Sequence, residues 1–297
     1  MNNITRHHGP YPAIDPSRPE LSQRGRAVLV TGSSNGIGFY IARAFAKAGA
    51  STVVLTGRHA QSLDAAVRDL ASQYPDTEFL GRVLDVSDSV QVDKLWDGLG
   101  ADREGGKGGG LVIDVLVLSA ARVQFDGQRL IDRGHEEVLA DLKTNVVSHL
   151  QFTHRFYHQK NRDPSKKLAL LNVSTMSIHN FAMNAKTASY GLSKNAAALA
   201  LQLLAREVPA DDMQIVSFHP GFIFTSSARG LGFTDPSQFD HDDLPAHYAV
   251  WAASNEAAFL HGRYTWTEWD VEELAAGDMK KRMDSDDQYL RICVGGL

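Results

Sequence analysis

The chain of 297 residues is 43% hydrophobic and 22% charged, which is ordinary for a protein that buries a full core. Its net charge of −5, with both signs interspersed, favours neither nucleic acid nor anionic lipid as a partner. The N-terminus lacks the apolar run of a signal peptide, and no apolar run is long enough to span a membrane. The single cysteine, Cys293, cannot form an internal disulfide, so we expect a cytoplasmic protein.

The first 25 residues contain four prolines and show no periodicity. We interpret residues 1–25 as an extended arm that lies on the surface of a single domain, residues 26–297. The arm carries His7 and His8, which we interpret as part of a solvated leader, and no metal site is expected.

Beyond the arm, short apolar strands alternate with helical segments. Strands are predicted over residues 27–31, 51–56, 78–84, 111–118, 168–173, 213–218 and 263–267. Helices are predicted over residues 37–48, 60–73, 88–98, 135–159, 187–207 and 245–254. Residues 101–110 are rich in glycine and are expected to form a surface loop. The alternation predicts an α/β fold, a Rossmann-type doubly wound parallel β-sheet with helices on both faces.

A glycine-rich turn joins the first strand to the first helix. It reads Thr31-Gly32-Ser33-Ser34-Asn35-Gly36-Ile37-Gly38. Glycines at such positions allow a tight turn, close approach of the backbone to a pyrophosphate, or close packing of helix on strand. The helix N-terminus adds free N–H groups and a positive dipole end. An ordinary glycine-rich turn is the alternative, but the strand–turn–helix context favours a dinucleotide site.

Tyr190 and Lys194 lie four residues apart, on one face of a predicted helix. Reduction of a carbonyl builds negative charge on its oxygen, which then needs a proton. A nearby cation stabilises the phenolate and is expected to lower the pKa of the tyrosine from about 10 towards working pH. A core tyrosine above a solvated lysine is the alternative. The pair therefore predicts a proton donor.

The glycine-rich turn and the Tyr190-x-x-x-Lys194 pattern together resemble the short-chain dehydrogenase/reductase family, over about residues 26–270. The resemblance implies that Tyr190 and Lys194 also contact the nicotinamide ribose side of the cofactor. It implies that Asn145 anchors a water that relays protons to Lys194. The further positions that it implies for cofactor contact are Gly32, Ser34, Asn35, Gly36, Ile37, Gly38, Asp85, Val86, Pro220, Gly221, Ile223 and Thr225.

One segment departs from the family pattern. Where the family usually has Asn-Asn-Ala-Gly after the fourth strand, this chain has Leu118-Ser119-Ala120-Ala121. The small side chains of Ser119 and Ala120 keep room for the cofactor, so both are expected to line its site. The amides that brace the sheet are missing.

Cofactor choice is predicted from charge at the end of the second strand. An enzyme that uses NAD normally has an acidic residue there, which binds the ribose 2′-hydroxyl. This chain has Thr56-Gly57-Arg58. Arg58 can pair with a 2′-phosphate through two hydrogen bonds, so NADP(H) is the expected cofactor. A surface arginine that starts a helix is the alternative.

The sequence leaves open which residue supplies the hydroxyl group that assists the tyrosine. Counting from the strand places Thr175 at the family's serine position, whereas counting back 13 residues from Tyr190 gives Ser177. We favour Thr175, then Ser177, then Ser174, because the register of a strand is more rigid than the length of a loop.

The substrate pocket is expected to be lined by residues that follow this strand and covered by a mobile lid around residues 222–248. The lining residues are His179, Asn180, Phe181 and Met183, with Phe222 and Phe224 on the lid. These aromatic residues suggest a medium-sized apolar carbonyl or alcohol substrate, although core packing explains them equally well.

The segments Leu260–Tyr264 and Trp269–Val271, with the arm, resemble fungal members of the family, several of which act in secondary metabolism.

We expect the protein to be an NADP(H)-dependent ketone reductase or alcohol dehydrogenase, assembled as a homodimer or homotetramer. The alternatives are a non-redox enzyme on the same fold, catalysing dehydration or cyclisation, and a cofactor-binding regulatory protein.

Overall fold

The computed structural model describes residues 4–101, 110–124, 126–230 and 232–294. Most of the predicted glycine-rich loop, residues 102–109, lies outside this part of the chain. The strands are β1 (Ala27–Val30), β2 (Thr52–Gly57), β3 (Glu78–Val83), β4 (Val115–Leu118), β5 (Leu168–Val173), β6 (Met213–His219) and β7 (Arg263–Trp266). The α-helices are α1 (Gly36–Lys47), α2 (Ala60–Gln73), α3 (Ser89–Gly100), α4 (His135–Leu142), α5 (Ser148–Tyr157), α6 (Ala188–Glu207), α7 (Ser226–Gly230), α8 (Asp243–Ala252), α9 (Val271–Ala276) and α10 (Asp278–Ser285).

The strands form one parallel sheet in the order β3-β2-β1-β4-β5-β6-β7. The order reverses between β1 and β4, and in sheets of this kind ligands bind in the crevice at that reversal, beyond the carboxyl ends of the strands. The predicted doubly wound parallel fold is confirmed.

The strands are apolar on both faces because helices cover both. Val28 and Val30 of β1 pack in the cluster that contains α1, α2 and α8, whereas Leu29 packs in the cluster that contains α3, α5 and part of α6. The same alternation continues along the neighbouring strands. It explains why their sequences are almost continuous apolar runs.

The helix predicted over residues 135–159 is interrupted. A π-helical turn, Lys143–Val147, separates α4 from α5 and carries Asn145. Such wide turns inside helices occur frequently at functional sites. Helices α7, α9 and α10 were not predicted, because each is only five to eight residues long.

The arm and the lid differ from their predicted descriptions. The arm is not confined to the surface: Ile14 and Leu21 are fully buried, because apolar side chains gain stability on leaving water. Residues 243–248 of the predicted lid belong to α8, whose residues 244–252 are all buried. The prediction of a mobile lid therefore now applies only to residues 222–242.

The burial of the arm gives a stability prediction. Ile14→Ala should lower the free energy of unfolding by about 2–5 kcal/mol, because it leaves a cavity in the core. Ile131→Ala is the matched control, since Ile131 is 87% exposed, and it should change stability by less than about 0.5 kcal/mol. Urea denaturation measures both. Equal effects of the two substitutions would contradict the docking of the arm.

Candidate active site

The glycine-rich turn lies at the reversal of strand order and is packed too closely for side chains. Gly32 has φ +64°, and a Cβ there would lie 2.8 Å from the Cα of Ala120. A Cβ on Gly38 would lie 2.5 Å from the carbonyl oxygen of Gly32. The backbone therefore forms a cradle that ends at the N-terminus of α1, with Gly36 as its first residue. This open backbone surface fits the pyrophosphate of a dinucleotide.

The hydroxyl of Thr31 braces the segment that departs from the family pattern. Thr31 Oγ1 accepts hydrogen bonds from the backbone N–H groups of Ser119 at 2.9 Å and Ala120 at 3.0 Å. It also donates to the carbonyl oxygen of Val117 at 3.3 Å. One side chain directly after β1 thus anchors the chain beyond β4. The missing amides do not leave this segment unsupported.

The end of β2 carries Arg58 beside the cradle. Ser34 lies against this strand end, since a Cβ on Gly57 would come within 3.0 Å of Ser34 Oγ. Arg58 is exposed and makes no hydrogen bond or ion pair with the described residues. The sequence provides no acid among residues 56–59. A guanidinium group is therefore free at the position where the sequence predicts contact with the cofactor ribose.

The remaining cofactor positions also lie at the carboxyl edge of the sheet. Asp85 follows β3, with its Oδ1 accepting from the Ser87 N–H at 2.8 Å, and Val86 beside it is buried. Thr225 faces the glycine-rich turn, because a Cβ on Gly36 would lie 3.5 Å from its Cγ2. Ile37 packs partly buried against the core, and Asn35 is the exposed residue before α1.

Gly221 has a steric reason to be glycine. Its φ is +83°, and a Cβ there would lie 2.5 Å from Asp240 Oδ2. The same oxygen accepts from the N–H of Phe222 at 2.7 Å. Pro220 and Ile223 flank this contact and are buried. Asp240 thus fixes the segment that the sequence predicts to touch the nicotinamide.

Thr175 is the hydroxyl that meets Tyr190. Burial raises the pKa of Tyr190 to about 12, and a hydrogen bond with the Thr175 side chain acts in the opposite direction. Thr175 Oγ1 also lies 3.3 Å from Ser177 Oγ. Ser174 and Ser177 are buried, whereas Thr175 is partly exposed, which favours Thr175 among the three candidates.

Lys194 is fully buried, and its amine points towards the sheet. Its Nζ donates to the carbonyl oxygen of Val173 at 2.6 Å, and burial lowers its pKa to about 8. The expected lowering of the tyrosine pKa towards working pH is therefore not observed. Burial raises the pKa of the phenol by more than any influence of the ammonium group lowers it. The ammonium group instead donates to the carbonyl oxygen of Val173.

Asn145 is buried and fully engaged through its amide. Its Nδ2 donates to the carbonyl oxygen of Arg122 at 2.8 Å and to Ser193 Oγ at 2.9 Å, and its Oδ1 accepts from the Arg122 N–H at 2.8 Å. Both of its N–H groups are used. The side chain therefore ties the segment after β4 to α6, and we interpret Asn145 as a positioning residue.

The sequence interpretation missed a group of aromatic residues on the α6 side of the sheet. His219 stands directly before Pro220, and burial lowers its pKa to about 3, so it is neutral. Its ring lies 4.8 Å from that of Trp266. The pKa of Tyr264 is raised by burial and by the nearby Tyr190. The alternation along β6 and β7 was the available signal, because it places these side chains on one face.

Of the predicted pocket residues, the Met183 side chain lies outside the described part of the chain.

Comparison with known proteins identifies the family. Residues 26–233 match the family described as short chain dehydrogenase. A "Short chain dehydrogenase/reductase" of Claviceps purpurea is 34% identical over 93% of this chain and 88% of its own length. The "Short chain dehydrogenase/reductase nsrO" of Aspergillus novofumigatus is 30% identical over 98% of this chain and 92% of its own length. The chain belongs to the short-chain dehydrogenase/reductase family, and its resemblance to fungal members is confirmed.

Solved structures share the fold. The L-sorbose reductase of Gluconobacter frateurii, complexed with NADPH and L-sorbose, has a TM-score of 0.69 and 20% identity over 85% of this chain and 98% of its own. The 3-oxoacyl (acyl-carrier-protein) reductase of Agrobacterium tumefaciens C58, with NADP bound, has a TM-score of 0.70 and 20% identity over 84% of this chain and 96% of its own. No helix in the described part of the chain is long and apolar enough to cross a membrane.

The buried amine of Lys194 gives a prediction that links stability to pH. A lysine whose pKa falls from 10.5 to about 8 on folding destabilises the fold by an amount on the order of 3 kcal/mol while it is charged. In the protein without cofactor, Lys194→Met should therefore raise the free energy of unfolding at pH 7 by about 1–3 kcal/mol. The gain should shrink as pH rises from 8 to 10.5, because there the wild-type amine is neutral when folded.

Urea denaturation across this pH range measures the difference. Lys94→Met on the exposed face of α3 is the control and should show no such pH dependence. A Lys194→Met variant that is less stable than the wild type at neutral pH would contradict the assignment of an unfavourably buried charge.

Proposed function

We propose that the protein is an NADP(H)-dependent oxidoreductase that reduces a ketone, or oxidises a secondary alcohol, on a medium-sized apolar metabolite. The observation that carries the proposal is the placement of Tyr190 and Lys194 one helical turn apart on α6, with Lys194 Nζ donating to the carbonyl oxygen of Val173 at the carboxyl end of β5. Thr175 follows two residues later at this edge of the sheet, which also holds the glycine cradle. Family membership supports an oxidoreductase.

The residues of the site have complementary tasks in this proposal. When bound, the nicotinamide supplies or accepts the hydride. Thr175 holds the substrate oxygen by a hydrogen bond, and Tyr190 donates its proton to that oxygen during reduction. Because the pKa of Tyr190 is raised to about 12, its phenol is protonated at neutral pH and ready to act as an acid. Lys194, charged below pH about 8, stabilises the phenolate that remains.

The choice of NADP(H) is supported by the free guanidinium of Arg58 and by the absence of an acid at the end of β2. The cradle residues Gly32, Gly36 and Gly38 would hold the pyrophosphate. Ser119, Ala120, Asp85 and Val86 would line the rest of the cofactor site, with Pro220, Gly221, Ile223 and Thr225 on the nicotinamide side. The NADPH and NADP bound to the two solved structures described above are consistent with this choice.

We also propose a homodimer or homotetramer built on α4, α5 and α6. These helices, with the π-helical turn between α4 and α5, expose leucine and valine side chains that are between 36% and 57% accessible. They are Leu139, Val147, Leu150, Leu192, Leu199 and Leu203. Apolar helix faces of this kind are stabilised by a partner. The cytoplasmic location and a role in secondary metabolism stay predictions.

The proton donor is tested by Tyr190→Phe, which keeps the ring and removes the acid. NADPH-dependent reduction of a panel of ketones should fall by a factor on the order of 10²–10⁴. NADPH binding, measured by fluorescence titration, should change little. Wild-type turnover by the variant would reject the redox mechanism, and the non-redox use of the same pocket would then be the better interpretation.

The hydroxyl is tested by comparing Thr175→Val with Ser177→Ala in the same assay. Thr175→Val should cause the larger loss in kcat, because Thr175 contacts Tyr190 directly, whereas Ser177 is buried and contacts Thr175. The reverse order would reassign the donor to Ser177.

Cofactor preference is tested by Arg58→Ala. The Kd for NADPH should rise about 10–100-fold, because hydrogen bonds to a charged group contribute about 1.5–3 kcal/mol. The Kd for NADH, which has no 2′-phosphate, should be unaffected. Arg68→Ala, an exposed arginine further along α2, is the control. An unchanged preference in Arg58→Ala would reject the role of Arg58.

A further inference from the structure

Three side chains of types that can bind a metal ion lie close together and take no part in the proposed proton transfer. His8 comes from the arm, Asp240 from the segment before α8, and Glu268 from the segment after β7, with their ligand atoms all within 4.8 Å of one another. Backbone hydrogen bonds fix their positions. The N–H of His241 donates to the carbonyl oxygen of His8 at 2.7 Å, and the N–H of His7 donates to that of Glu268 at 2.7 Å. Main-chain hydrogen bonds therefore join the arm at His7 and His8 to the two segments that carry Asp240 and Glu268.

Both carboxylates of this cluster are buried, and one of them, that of Glu268, lacks a full set of partners. The Asp240 and Glu268 side chains are only 5% and 6% exposed. Glu268 Oε2 is buried and has no hydrogen-bond partner among the described residues. Its other oxygen lies 3.9 Å from Arg6 Nη1, which is too far for a hydrogen bond. A buried carboxylate oxygen without a partner is costly, and a bound cation would satisfy it.

We propose that His8, Asp240 and Glu268 bind a divalent transition-metal ion of the zinc class. One imidazole nitrogen and two carboxylate oxygens form a ligand set that zinc accepts, with water as a fourth ligand. Magnesium and calcium prefer more ligands, all of them oxygen. The His8 side chain is 73% exposed, which gives the ion a route from solvent. In the structure, His8 Nδ1 and Asp240 Oδ1 are joined by a 2.6 Å hydrogen bond that the ion would replace.

Such an ion would connect the arm to the active-site segment. Asp240 already accepts from the N–H of Phe222 and packs against Gly221. Fixing the Asp240 carboxylate would therefore stabilise the segment on the proposed nicotinamide side of the pocket. This site departs from the expectation, made from the sequence, that the protein holds no metal.

A second cluster provides a matched control within the same molecule. The metal-binding atoms of His241, Asp242 and Asp243 also lie within 4.8 Å of one another, but none of the three residues is buried. Asp243 pairs with Arg43 at 2.7 Å. No buried oxygen of this cluster lacks a partner among the described residues. This second cluster contains residue types that bind metal ions, but its side chains are not buried.

The test is calorimetric titration of the chelator-treated full chain with zinc chloride, without cofactor or substrate. The wild type should show saturable binding. Glu268→Gln, which keeps the shape and removes the charge, should weaken binding 10–100-fold or more, since even residues that only orient a ligand typically contribute about that factor. Asp242→Asn should bind like the wild type. Cobalt substituted for zinc should give a visible absorption band that Glu268→Gln loses.

The result does not depend on the proposed catalytic function, because neither turnover nor cofactor binding is measured. If circular dichroism shows that Glu268→Gln is unfolded, His8→Ala decides instead, since the His8 side chain is mostly exposed. Failure of the wild type to bind zinc saturably would overturn the proposal. Binding of equal affinity in the wild type and in the folded ligand variant would also overturn it, because the zinc would then be held at the surface.

Discussion

The hydroxyl of Thr31 is the contact on which the geometry of the site depends. It joins the last residue before the glycine cradle to the carbonyl of Val117 and to two N–H groups beyond β4. These bonds bring Gly32 so close to Ala120 that no side chain fits between them. Thr31 thus ties β1 to the chain beyond β4 at the point where the order of the strands reverses.

Much of the fold could be predicted because it rests on periodic signals. The alternation of apolar strands and helices predicted every strand of the sheet, and the glycine spacing located the cradle. The π-helical turn at Asn145 and the burial of Ile14 gave no such signal. The first depends on backbone hydrogen bonds within a helix, and the second on contacts with residues far away in the sequence.

The site was harder to predict than the fold because side-chain directions are not encoded in spacing. The sequence placed Lys194 one turn from Tyr190, but it could not show that the amine is bound to Val173. Two counting rules disagreed about the hydroxyl, and the contact of Thr175 with Tyr190 and the burial of Ser177 both favour Thr175. The buried ammonium group gives the interior of the site a positive charge before any ligand arrives. Electrostatic stabilisation of this preorganised kind favours negative charge that develops on a reacting oxygen.

The arm makes its contacts with the far end of the domain, which has a consequence for folding. Thr5 bonds to Glu273 across 268 residues of sequence, and Tyr11 bonds to the N–H of Val271 across 260. During synthesis the arm must wait until the last strand and the helix after it have been made. Contacts of such large sequence separation carry a high loop-closure entropy and form late. The nascent chain therefore exposes Ile14, whose turn contacts α8 and α9, until these helices have been made, and a chaperone that binds apolar segments would find it there.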